Sequence, residues 1–204
     1  EFRTINYTSK KLLRSDIVRN YTVYHLHSDY SLLDSCTKFE EYVDRAVELG
    51  QTAIASTEHG NIFNWVLKKM YCDKKGIKYI HGVEVYLTHK LFHNRKSFVE
   101  NKEKYYVEEV KQKVRDNYHT ILLAKNYDGI KELNSLVSIS YCPDNFYFKP
   151  RITFEDFLNI SDNIITTSAC LASPIWSIKN SIDKYNQEIK DLENELSEVE
   201  LKIN

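Results

Sequence analysis

An α/β fold, built as a sheet or a barrel, is what this 204-residue sequence predicts, and three observations carry the expectation. Five short runs rich in β-branched and aromatic residues are spread along the chain. Helical patterns with apolar residues at three- and four-residue spacing lie between several of them. Hydrophobic residues make up 42% and charged residues 28% of the chain, with only 5 Gly and 3 Pro, so collagen-like and low-complexity classes are excluded. A chain of this length buries a sizeable core.

Residues 1–20 form a lead-in without an initiating Met or the apolar core of a signal peptide, which reads as a trimmed chain. Tyr21–Leu26, Ala53–Ser56, Tyr79–Leu87, Thr120–Ala124 and Asn163–Thr167 are the expected strands. Phe39–Leu49, Phe63–Lys75 and Gly129–Ser140 are the expected helices. Alternation of this length implies parallel strands joined by crossovers. Residues 89–118 (HKLFHNRKSFVENKEKYYVEEVKQKVRDNY) break the rhythm and read as a polar, partly helical insertion in a domain spanning 21–176.

The last segment, 177–204, is a long helix of coiled-coil character. Ile175, Ile178, Ile182, Tyr185, Ile189, Leu192, Leu196, Val199 and Ile203 alternate spacings of three and four without a slip, a heptad seam. A parallel homodimer would set Glu188 against Glu193 and Glu195 against Glu200. A more basic helix is therefore one expected partner, and packing on the chain's own domain is the other reading.

Formal net charge is -1, which argues against holding nucleic acid by bulk electrostatics alone. The acids concentrate in residues 181–204 and leave the body mildly basic. No run of about 18 apolar residues is present, so no membrane span is expected. Cys36, Cys72, Cys142 and Cys170 form no close CxxC pair, and with no secretory signal they read as reduced thiols of a cytoplasmic protein.

The chemistry gathers where expected strands end. The first ends in His25-Leu26-His27, whose alternation points both imidazoles to one side, so the pair can chelate one ion. The second runs into Thr57-Glu58-His59-Gly60-Asn61, the third contains Glu84, the fourth opens at His119 and the fifth leads to Cys170. Convergence of residues from several strand ends on one mouth is how β/α barrels build active sites. Four imidazoles, a carboxylate and a thiol buried together are hard to satisfy without a metal. These donors favour Zn2+, Mn2+ or Fe2+ over Mg2+ or Ca2+. A cluster of two or three such ions suits phosphate-ester hydrolysis, by lowering the pKa of a bound water and clamping the attacking and leaving oxygens.

Several motifs match a known pattern. His25-Leu26-His27-Ser28-Asp29-Tyr30-Ser31-Leu32-Leu33-Asp34, Thr57-Glu58-His59-Gly60-Asn61, Gly82-Val83-Glu84-Val85-Tyr86 and Leu122-Leu123-Ala124-Lys125-Asn126 resemble the polymerase and histidinol phosphatase (PHP) domain. The wording is that of the version at the N-terminus of bacterial DNA polymerase III alpha subunits. Phe146-Tyr147-Phe148-Lys149-Pro150-Arg151-Ile152 and Thr167-Ser168-Ala169-Cys170-Leu171-Ala172 extend the resemblance. It implies a distorted β/α barrel, incomplete in this chain, with a three-metal cluster. His25, His27 and Glu84 would hold one ion, Asp34 and His59 a second, and Glu84, His119 and Cys170 a third, with Glu84 bridging. Glu84 and His59 would support catalysis.

Two departures stand out. Glu58 occupies a place where the family usually has Asp, and no histidine follows His119 to supply the Asp-x-His that completes the family set. The resemblance implies metal-dependent 3′–5′ exonuclease or proofreading activity in a replicative polymerase, with DNA and other replisome subunits as partners. A non-catalytic scaffold for the polymerase and a proofreading subunit, or a free-standing PHP phosphatase, are the alternatives. Lys149 and Arg151 beside Tyr147 and Phe148 read as a contact to a nucleic-acid backbone or as a loop packing its aromatics on the barrel. His81 reads as a partly exposed strand-end residue or a partner of the ligands, and Cys36, Cys72 and Cys142 as core thiols.

Overall fold

The structure, a computed structural model, describes residues 21–88 and 117–203. The lead-in, and the insertion up to residue 116, lie outside the described residues. Helix α1 (Phe39–Glu48) forms where Phe39, Val43 and Ala46 share one buried stripe. Strand β1 (Ala53–Ser56) is buried throughout. Helix α2 (Trp65–Lys75) ends at Gly76, whose φ of 71° makes the left-handed turn into strand β2 (Lys78–Thr88). Strand β3 (Tyr118–Ala124) leads to helix α3 (Tyr127–Ser140), capped by the Asn126 side chain accepting from the Gly129 N–H. Strands β4 (Phe146–Tyr147) and β5 (Lys149–Thr153), helix α4 (Phe154–Leu158), strand β6 (Ile164–Thr167) and helix α5 (Pro174–Ile203) complete the order.

The strands form one mixed sheet, β4-β5-β2-β3-β6, with β1 also paired to β2. The pairs β1·β2 and β2·β5 are parallel, whereas β2·β3 and β3·β6 are antiparallel. The all-parallel expectation is thereby corrected. Apolar periodicity fixes which residues are buried, not which way a strand runs, and β3 returns against β2 instead of crossing over. The expected strand Tyr21–Leu26 reduces to a bridge between Val23 and Ile54. Beyond it Leu26 O accepts from the Thr57 N–H at 3.1 Å, while the Leu26 N–H donates to the Thr57 side chain, Oγ1, at 2.7 Å.

One face of the sheet packs Val83, Val85, Leu87, Leu122, Ile152 and Ile164 against Leu133, Leu136 and Val137 of α3. A second core joins Phe39, Val43, Ile54, Cys72 and Ile77 under α1 and α2. Side chains alternate along a strand, so Glu84 and Tyr86 project from the face opposite Val83 and Val85. Helix α5 leaves this body with its apolar residues exposed. No described helix is long and apolar enough to cross a membrane.

Candidate metal centre

The register of β2 decides what meets at its centre. Ala53 lies opposite Lys78 and Ser56 opposite His81, and the same offset persists three residues further, where His59 bridges Glu84. Immediately after, Gly60 adopts a φ of 63° and its N–H donates to Glu84 O at 2.8 Å. A Cβ at Gly60 would sit 2.5 Å from Pro150 Cγ, so the close approach of β5 also requires glycine. On the other side of β2, His119 stands opposite Tyr86. Beyond β6 the chain turns back at Ala169, with a φ of 51°, and brings in Cys170.

Glu84, fully buried, is the hub. Its Oε2 lies 2.9 Å from His25 Nε2 and 2.8 Å from His27 Nε2, while Oε1 lies 2.7 Å from His119 Nδ1. His59 Nδ1 lies 3.5 Å from Glu84 Oε2, and its Nε2 lies 3.5 Å from Asp34 Oδ2. Cys170 Sγ is 3.9 Å from Glu84 Oε1 and 3.7 Å from His119 Nδ1. The His27 and His59 rings stack with centroids 4.1 Å apart. Three donor sets follow: His25, His27 and Glu84; His27, Asp34 and His59; His59, Glu84 and His119. All seven residues singled out as ligands thus come together. His27 and His59 are each shared more widely than expected, and Cys170 stands at the edge of the third set.

Burial pushes the Glu84 carboxyl up, but hydrogen bonds from His119, His25 and His27 and the charge of His59 outweigh it and hold it below the usual carboxylate range. The hydrogen bond to Glu84 raises His25 against its burial. Burial lowers His59 despite Glu84. The centre is therefore an ionised carboxylate ringed by imidazoles.

A buried network fixes this ring. Lys68 Nζ donates to Glu58 Oε1 at 2.6 Å, the Ser28 N–H donates to Oε2 at 2.9 Å, and Ser31 Oγ donates to Oε2 at 2.6 Å. Burial opposes ionisation of Glu58, but Lys68 and the two serine hydroxyls outweigh it and keep the carboxyl below its ordinary value. An ionised carboxylate can only accept, so the single Ser31 hydroxyl proton is committed to Glu58. Ser31 Oγ must then accept from its other neighbours, the His59 N–H at 3.0 Å and His27 Nδ1 at 3.3 Å. The Ser31 contact at Nδ1 holds the His27 ring with Nε2 turned toward Glu84 and His25. Two imidazole nitrogens and a carboxylate oxygen within 2.9 Å of one another need a proton or a cation between them. His59 Nδ1 is in addition buried without a hydrogen-bond partner among the described residues. The donor set fits a divalent ion of the Zn2+, Mn2+ or Fe2+ kind.

The remaining candidates lie elsewhere. Lys149 Nζ sits 4.3 Å over the Tyr86 ring, beside the cluster. Arg151 is 1% exposed and donates from Nε to Asn145 O at 3.4 Å, so its guanidinium is not presented as a surface phosphate contact. It lies in β5, which the sequence hides because Pro150 lacks an N–H and reads as a loop. His81 is buried, not half-exposed, and bonds Asn134 of α3 at 2.9 Å. Cys72 is a core thiol, whereas Cys36 and Cys142 are exposed and correct that expectation. Sequence reasoning missed Ser28, Ser31 and Lys68. The available signal was a lysine four residues before Cys72 on the buried stripe of α2.

Known proteins resemble this chain over most of its length. The model of the PHP domain matches residues 24–203. A DNA polymerase III subunit alpha from Borreliella burgdorferi is 37% identical over 151 residues, 74% of this chain and 12% of that protein. The corresponding subunit of Aquifex aeolicus is 34% identical over 153 residues, 75% of this chain and 12% of its own length. That of Helicobacter pylori strain 26695 is 33% identical over 167 residues, 82% and 12% respectively. The chain thus spans about 12% of the length of these relatives.

Proposed function

Because this chain belongs to the PHP domain family, we propose that it is the N-terminal PHP region of a replicative DNA polymerase and that its cluster hydrolyses phosphodiesters at DNA 3′ ends. The observation that carries the reading is Glu84, whose two oxygens face His25, His27 and His119 at 2.7–2.9 Å. Two or three divalent ions, Zn2+ or Mn2+ first and Fe2+ next, would be held by His25, His27, Asp34, His59, Glu84, His119 and Cys170. Bound there, they would activate a water and take up charge on the phosphate.

The chain's own residues do the rest. Glu84 supplies the negative charge that unites the donor sets. His59, whose burial weakens its hold on a proton, offers one ring nitrogen to Glu84's side and the other to Asp34's. Lys149, poised over Tyr86, offers a cation to a phosphate beside the cluster. Closure of the sheet into a barrel, DNA and replisome subunits as partners, a proofreading role and a cytoplasmic setting all belong to this proposal.

The test is digestion of a 5′-labelled oligonucleotide with a 3′ mismatch. Stepwise, chelator-sensitive shortening that Glu84→Gln abolishes supports the proposal. Undiminished, chelator-resistant activity in His27→Ala overturns it. Metal binding with no hydrolysis of DNA or of a phosphate monoester would make the domain a scaffold. Hydrolysis of the monoester alone would make it a phosphatase.

A further inference from the structure

Helix α5 runs for 30 residues, roughly 45 Å at 1.5 Å per residue. Its seam residues Ile178, Ile182, Tyr185, Ile189, Leu192 and Leu196 are 41–64% exposed, so the chain's own domain does not cover them. A continuous apolar stripe of this length marks an interaction surface.

Charge selects what covers it. A parallel second copy places Glu188 against Glu193 and Glu195 against Glu200, each twice. An antiparallel second copy behaves differently. Centring the crossing near residue 187 forms the layers Ile178–Leu196, Ile182–Leu192 and Tyr185–Ile189, each repeated by the twofold axis. Lys179 then faces Glu193 of the second copy, twice, and Asn186 meets its own equivalent. One like-charged contact remains, Glu188 with itself. Sliding the pair by one heptad exchanges the Lys179–Glu193 contacts for Lys179–Glu200 and sets Glu188 against Glu195, twice.

We propose that the exposed seam of α5 is a self-association surface, filled by the same helix of a second copy in antiparallel orientation. The seam drives association, the Lys179–Glu193 pairs choose the antiparallel direction, and the single Glu188–Glu188 contact, against two Glu188–Glu195 contacts one heptad away, favours this register. Lys179 already reaches along its own helix to Asp183 at 2.6 Å, so its ammonium lies on the flank where the second pair would form.

Sedimentation equilibrium of this chain tests the proposal, with Lys179→Glu, Glu193→Lys and the double exchange. All alter exposed helix positions and leave the cores intact. The expected result is the mass of two chains, about tenfold weaker association in either single variant, and recovery in the double. A monomer with α5 helical, its seam left for a basic helix of another protein, overturns the proposal. So does a dimer whose affinity the exchanges leave unchanged, which would be parallel or in another register. Activity of the metal centre does not enter this test.

Discussion

Lys68 Nζ lies 2.6 Å from Glu58 Oε1, and both side chains are 1% exposed. This buried pair sits behind the metal-ligand loop, where Glu58 collects Ser28 and Ser31 as well. Glu58 is thus matched by a lysine on the buried stripe of α2. The pair sets the proton of Ser31, and through it the orientation of the His27 ring.

Breaking the pair on one side leaves a charge stranded. Lys68→Met costs about 3–5 kcal/mol in urea unfolding, and Lys68→Met with Glu58→Gln costs markedly less, because no buried charge is orphaned. Glu58→Gln alone frees the Ser31 proton, and metal affinity falls roughly 10–100-fold in a competition titration.

Glu84→Gln removes the hub while keeping its shape. Metal affinity falls by more than the roughly 10–100-fold expected for an outer partner, measured by the same titration. His25→Ala empties the first donor set and leaves His59, Glu84 and His119 able to hold an ion.

His81→Ala acts as the contrasting substitution. It loses the bond to Asn134 on the α3-facing side and costs about 1–3 kcal/mol, with metal content unchanged.

Burial pushes the Cys72 thiol up to about 12. Alkylation near pH 8 followed by intact mass spectrometry labels the exposed Cys36, Cys142 and Cys170 and spares Cys72. Metal loading then protects Cys170. The raised thiol also has a sign in stability. Above about pH 8.5 the unfolded chain ionises Cys72 while the folded one keeps its proton, so stability falls as pH rises toward 12.

The histidines and the carboxylate that gather at the candidate centre were legible because each of these five sits beside a short apolar run: His25 and His27 at spacing two, His59 after β1, Glu84 inside β2, His119 at the head of β3. A period of two says which side chains share a face, and that sufficed to bring them together. Strand direction was not legible, and β3 and β6 run opposite to their neighbours. β5 escaped because Pro150 masks a strand that pairs with β2 only at Tyr86, Leu87 and Thr88. Lys68 and Ser31 escaped for another reason. A lysine on a helix and a serine in a loop read as solvated until the tertiary structure buries them around Glu58. The heptad seam was legible as a helix, expected over 177–204 and found over Pro174–Ile203, because its three- and four-residue spacing fits a helical turn.

The most direct measurement is the number of Zn, Mn or Fe ions retained per folded chain after dialysis, by elemental mass spectrometry. The account predicts about two or more in the wild type, with a sharp drop in Glu84→Gln and none in His81→Ala relative to wild type. A folded wild-type chain that keeps no metal, or a Glu84→Gln chain that keeps as much, would contradict it.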